Sequence, residues 1–313
     1  MRRWDGLVDR YLEEYEARGR AAGTIEGLRR ELDRCGTWLK NRRPRPRLDA
    51  VDSDLLIGYL QSRTAFHAKV TLSSVMSKLR GLGEFLTREG IWASNPLRWM
   101  RGPKRDPRSR LSRRISQPAM TQLWEAAATS RFDYSRTLWL TLLAVFYGTG
   151  ARRGEVVRLD LGDWDREAGL LQFDGRKTSW ERRVPVPPLV EQCLEAYLPK
   201  RQNHLDALGV VDETALFVNK HGARLADHSI SRGMKSIARR SNQEQVTLHQ
   251  LRHTCASDLL EAGAHLREVQ CLLGHQVIGT TMRYLHIADP QLHEAVRQHP
   301  INAFVKTEGR VHE

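Results

Sequence analysis

Apolar residues over the first hundred positions recur three and four apart, the period of helices that bury one face. Leu7, Tyr11 and Tyr15 repeat every four residues, and Gly19 closes that run. Thr24 is placed to cap a second helix, whose Ile25, Leu28, Leu32, Cys35 and Leu39 share a face. The prolines and arginines of Asn41–Arg47 break it. Asp52 or Ser53 then caps a short helix through Leu55, Leu56, Tyr59 and Leu60. A fourth runs through Val75, Leu79, Leu82 and Phe85 to Gly90, and Asn95-Pro96 is a stop. Residues 101–114 lack a hydrophobic period and carry two prolines, so they read as an extended linker.

Beyond the linker the pattern changes. Ser116-Gln-Pro118 starts a helix, with proline suited to its first turn. Leu138 to Tyr147 is apolar on nearly all sides, which predicts a buried helix ended by Gly148-Thr-Gly150. Two short β-rich runs, Leu170–Phe173 and Arg183–Val186, predict a small antiparallel sheet. Thr247-Leu-His-Gln250 has the form of a capping box, which puts His249, Arg252 and His253 in the first turns of a helix. The expected fold is mainly α with a small antiparallel β-sheet. A helical domain over 1–100 and a linker over 101–114 precede an α+β domain over 115–313.

Composition narrows the classes. No apolar run is long enough to span a membrane, and the start, Met1-Arg-Arg-Trp-Asp, lacks the apolar stretch of a secretory signal. Cys35, Cys193, Cys255 and Cys271 show no metal or disulfide spacing and read as reduced thiols of a cytosolic protein. Net charge is +13, and it is uneven. Residues 1–114 hold 26 Lys and Arg against 14 Asp and Glu, whereas residues 115–313 hold 24 against 23. So strong an asymmetry favours a polyanion partner for the basic part, nucleic acid ahead of a membrane surface. The candidate contacts are Arg42, Arg43 and Arg45 in the proline-broken turn, and Arg101, Lys104, Arg105, Arg108, Arg110, Arg113 and Arg114 in the linker.

The chemistry gathers in the second part. Gly150-Ala-Arg152-Arg-Gly-Glu155 places Arg152 at a helix start after a glycine turn, where backbone N–H groups face an anion. His249 and Arg252 are three apart and share a helix face. Gly274 reads as a left-handed helix cap that presents His275, and Tyr284 follows nine residues later. Paired guanidiniums hold non-bridging phosphate oxygens, histidine moves a proton near neutral pH, and a tyrosine hydroxyl can become a covalent carrier. Together these groups suit a phosphodiester attacked without metal.

The ordered set Gly-x-Arg-x-x-Glu, hairpin Lys177, His-x-x-Arg, Gly-His and late Tyr resembles the tyrosine recombinase family, the phage-type integrases, close to its Xer-like members. Ala151 departs from the family's usual leucine. The resemblance implies a helical core-binding domain and a catalytic domain forming a C-shaped clamp on duplex DNA. It implies Arg152, Lys177, His249, Arg252, His275 and the nucleophile Tyr284 as catalytic residues, supported by Glu155, with Lys177 donating a proton to the leaving 5′-oxygen. No cofactor and no metal is expected. The implied reaction makes a 3′-phosphotyrosyl link and a free 5′-hydroxyl without ATP, and exchanges strands through a Holliday junction at a specific core site. Relatives act as homotetramers or with a sister recombinase, in a bacterial-type cytoplasm, associated with the nucleoid. A C-terminal interaction tail with Leu292, Val296, Ile301 and Phe304 docks either on a neighbouring subunit or in cis. Two other readings share the residues: a type IB topoisomerase-like relaxase, and a sequence-specific DNA-binding protein that does not cut.

Overall fold

The computed structural model describes residues 2–20, 22–64, 69–100, 114–174, 181–211, 213–274, 294, 296–297 and 299–304. The chain separates into two compact units, Met1–Leu111 and Ser112–Glu313.

The first unit is helical: α1 (Arg2–Ala17), α2 (Ala22–Lys40), α3 (Ser53–Thr64) and α4 (Lys69–Arg88). The apolar stripes pack together. Leu7, Val8 and Tyr11 of α1, Leu28, Leu32 and Cys35 of α2, and Val75, Leu79 and Phe85 of α4 are all buried in one core. Asp52 caps α3, its carboxylate accepting the Leu55 N–H at 2.9 Å. Thr24 is not a cap. Helix α2 already runs from Ala22, which puts Thr24 inside its first turn. Alanine has the highest helix propensity and extends the helix past the expected start.

The second unit begins with α5 (Gln117–Ala128), α6 (Asp133–Thr149) and α7 (Arg153–Arg158). Ser116 caps α5, and Pro118 sits in its first turn. The sheet has three antiparallel strands: β1 (Trp164–Asp165), β2 (Leu170–Phe173) and β3 (Arg182–Pro185). The two-residue β1 is too short to show alternation, so the pattern of the chain predicts only β2 and β3. Register pairs Leu171 with Val184 and Phe173 with Arg182. Helices α8 (Pro188–Leu208), α9 (Asp227–Arg240), α10 (Leu248–Glu261) and α11 (Leu266–Leu273) follow. Thr247 and Gln250 form the expected box at the start of α10, each side chain accepting the other's backbone N–H.

Helix α6 is the centre of this unit, with Leu142, Ala144, Val145, Phe146 and Tyr147 each at most 2% exposed. The last described segment also enters this core. A 3-10 turn, Pro300–Phe304, buries Ile301 and Phe304, and Val296 is buried beside them. Phe304 stacks on Trp124 with ring centroids 5.4 Å apart, and His299 meets Tyr147 edge-on. Leu292 lies outside the described residues. Among the described residues no helix is long and apolar enough to cross a membrane.

Candidate active site

Three helix ends converge on one buried carboxylate. Helix α6 stops at Gly150, whose φ of +60° suits glycine. A Cβ there would lie 2.4 Å from a Leu273 methyl, so a side chain at 150 would force that leucine of α11 to shift. The chain then turns through buried Ala151, and Arg152 caps α7. Glu155, at the third position of α7, reaches back: its Oε2 accepts the Arg152 N–H at 2.7 Å and its Oε1 accepts Arg152 Nη1 at 2.9 Å. The Arg152 N–H, expected to face a bound anion, is therefore satisfied from within by Glu155.

Arg252, 6% exposed on α10, donates from Nη1 to the Gly150 carbonyl at 2.6 Å and from Nη2 to the Leu273 carbonyl. Arg152 Nη2 donates to the Gly274 carbonyl at 3.1 Å. Gly274 ends α11 in the left-handed conformation, with φ +63°. The C-terminal carbonyls of α11, the negative end of a helix dipole, thus collect both arginines.

A third guanidinium completes the cluster. Arg182 of β3 forks onto Glu155, Nη1 to Oε1 and Nη2 to Oε2, both at 2.8 Å. Its Nε donates to the Leu272 carbonyl at 2.8 Å, and its guanidinium lies over the Phe173 ring. No motif in the sequence singles out Arg182. Strand alternation carries the signal, because Arg182 shares a face with buried Val184 while Arg183 points to solvent.

Burial alone would raise the Glu155 carboxyl, but the Arg182 fork and the Arg152 contacts outweigh it and hold it at about 2. Burial, then the charges of Arg152 and Arg182, pull Arg252 down to about 10, so it stays charged at neutral pH. Three guanidiniums against one carboxylate leave a cluster with excess positive charge.

His249 is exposed in the first turn of α10. His253, next along, is half-buried, and its Nδ1 has no hydrogen-bond partner among the described residues. Lys177, His275 and Tyr284 lie outside the described residues, as do Arg101, Lys104, Arg105, Arg108, Arg110 and Arg113. Arg42, Arg43 and Arg45 are exposed on the first unit, with Arg42 stacked 3.9 Å over Trp38. Arg114 turns inward, pairing with buried Asp258 and with Glu261 of α10. Among the described residues no group of three His, Cys, Asp or Glu side chains is arranged to hold a metal ion.

Comparison with known proteins places these units. The model of the phage integrase family matches residues 113–291, and that of the phage integrase N-terminal SAM-like domain matches residues 8–90. The chain is similar to the tyrosine recombinase XerD of Oceanobacillus iheyensis, 30% identical over 286 residues, covering 90% of this chain and 94% of that protein. It is 32% identical to the tyrosine recombinase XerC of Pseudomonas aeruginosa over 282 residues, covering 90% of this chain and 89% of that one. The fold is also that of the Tn1549 transposon integrase solved with transposon right end DNA. That match has a TM-score of 0.65 at 14% identity over 97% of this chain and 98% of that one. A lambda integrase tetramer bound to a Holliday junction matches with a TM-score of 0.63 at 18% identity, covering 89% of this chain and 75% of that one.

Proposed function

The chain belongs to the phage integrase family of tyrosine recombinases, enzymes that transfer DNA strands, and from that premise we propose that it cleaves and rejoins duplex DNA at a specific core site through a covalent tyrosine intermediate. The observation that carries this reading is the convergence of Arg152 and Arg252 on the end of α11. Among the described residues each uses two of its five N–H donors there or on a neighbour, which leaves donors for a phosphate. Guanidiniums fixed beforehand at the place where charge develops stabilise a pentacoordinate phosphorane without reorganising. They supply the positive charge that divalent ions supply in two-metal nucleases, so the reaction proceeds without metal.

In this proposal Arg152 and Arg252 clamp the non-bridging oxygens of the scissile phosphate, with Glu155 supporting Arg152. Tyr284 attacks phosphorus and forms the 3′-phosphotyrosyl bond. The departing 5′-oxygen takes its proton from Lys177 and leaves as a hydroxyl. His249 and His275 hydrogen-bond the phosphate or orient the nucleophile. Attack by a second strand's 5′-hydroxyl then reverses the chemistry and releases the tyrosine, so the phosphodiester energy is retained and ATP is not needed. We assign residues 1–100 to core binding, 101–114 to a basic linker along the DNA backbone and 115–313 to catalysis. Arg42, Arg43, Arg45, Arg101, Lys104, Arg105, Arg108, Arg110 and Arg113 make the phosphate contacts, whose counterion release renders affinity salt-dependent, whereas Arg114 is engaged by Asp258 and Glu261. The working form is a tetramer on two synapsed duplexes, of this chain alone or with a sister recombinase, in a bacterial-type cytoplasm at the nucleoid. Of the two readings of the C-terminal tail, docking on a neighbouring subunit or packing in cis, the burial of Val296, Ile301 and Phe304 in the core of their own unit supports the second.

The test uses wild type and Tyr284→Phe with labelled nicked duplexes made from the DNA flanking the gene, without divalent metal. An SDS-resistant protein–DNA adduct with wild type alone is the expected result. Equal adduct from both proteins, or none from wild type despite salt-sensitive binding, would sink the tyrosine mechanism for this chain acting alone.

A further inference from the structure

Arg182 reaches three elements that each present part of the site. It belongs to β3, grips Glu155 of α7 with both Nη atoms, and holds the Leu272 carbonyl at the end of α11 with Nε. The four donors on Glu155 come from two residues: Arg152, through its N–H and Nη1, and Arg182, through its fork. Arg152 in turn lies on the Gly274 carbonyl, and Arg252 lies on the Leu273 carbonyl. The acceptors of the three arginines along α11 are therefore the consecutive carbonyls 272, 273 and 274.

Resting on the strand-transfer reading above, we propose that Arg182 is a positioning residue of the cleavage site: it clamps Glu155 to the end of α11 and so aims Arg152 and Arg252 at one phosphate. It does not take the phosphate itself. Its side chain is 10% exposed, and three of its donors point inward. The fork matters as well as the charge. A guanidinium can make two parallel bonds to a carboxylate and a third through Nε, whereas an ammonium acts as a point charge.

The experiment uses the full chain with Arg182→Met and Arg182→Lys. The first readout is amide hydrogen exchange at Arg152, whose N–H is held by Glu155. Both variants should exchange about tenfold faster there, with the amides of Leu142 to Phe146 on α6 kept at the wild-type rate. The second is single-turnover formation of the SDS-resistant adduct on the nicked duplex. The maximal rate should fall about 100-fold, the cost of a small misplacement of catalytic groups, while the protein concentration giving half-maximal adduct stays within about twofold. A general structural defect would instead expose the α6 amides. Should methionine do so, lysine decides by the same two readouts. Unchanged Arg152 exchange, or full cleavage by Arg182→Lys, would overturn the proposal. Absence of adduct from wild type would remove the strand-transfer reading while the exchange result still judged the clamp.

Discussion

Two buried carboxylates of the second unit, Glu155 and Asp258, are held in opposite ways. Glu155 is 4% exposed and Asp258 1%. Glu155 meets two guanidiniums and a main-chain N–H, and its carboxyl is driven down to about 2. Asp258 lies six residues after Arg252 on α10, about 120° around the helix from it. It accepts the Tyr147 hydroxyl and pairs with one partly exposed guanidinium, Arg114. There burial prevails and the carboxyl is raised above the ordinary aspartate range. Burial is thus common to both, and the number and geometry of the donors decide which acid is a firm ion. The firm one sits where Arg152, Arg182 and Arg252 gather at the end of α11. The marginal one fastens the start of the unit to α10, beside the Ile115 N–H bonded to Thr254 at 2.9 Å.

The largest effect should come from removing the firm ion. Glu155→Ala leaves Arg152, Arg182 and Arg252 without their shared counter-charge, and we expect a loss of about 3–5 kcal/mol in urea unfolding of the second unit. Asp258→Asn should cost under about 1 kcal/mol, because it also relieves an expensive desolvation. Equal losses would dissolve the contrast. Gly150→Ala falls between them at about 1–3 kcal/mol, from a positive φ and the Leu273 methyl 2.4 Å from the new Cβ; a neutral result in the same assay would show that α11 can shift. The smallest effect concerns pH. Glu155's folded value is depressed, so its stabilisation is present above the ordinary value of 4.5 and is lost as pH falls toward about 2. Asp258's folded value is raised, so its contribution is present below 3.8 and is lost as pH rises through the folded value. Unfolding free energies of wild type and the two variants across pH 3–8 should diverge at opposite ends of the range. Curves that diverge at the same end would refute the assignment.

Much of this arrangement is legible in the amino-acid sequence. Stripes three and four apart marked the helices of the first unit because each buries one face, and an all-round apolar run marked α6 because it is buried on nearly every side. The glycines at 150 and 274 and the Thr247–Gln250 box marked helix ends because few residues suit those positions. Arg182 was legible only faintly, through strand alternation, for a physical reason: in a four-residue strand, one arginine between Glu181 and Arg183 looks solvated until the pairing partner is known. The last segment was illegible for another. Val296, Ile301 and Phe304 are apolar whether they fill their own core or a neighbour's, and their cis packing depends on the distant Trp124, Tyr147 and Leu189. For Lys177, His275 and Tyr284 the family pattern remains the warrant.

That cis packing sets a schedule for synthesis. The core that opens at Ile115 is closed by Phe304, ~190 residues later. At about 5–20 residues per second, ribosomes need roughly 10–40 s to cover that interval. The helical first unit, whose core ends at Leu97, can fold while the rest is still being translated. The nascent chain therefore passes through a stage in which its basic first unit is native while the core of its second unit is still open.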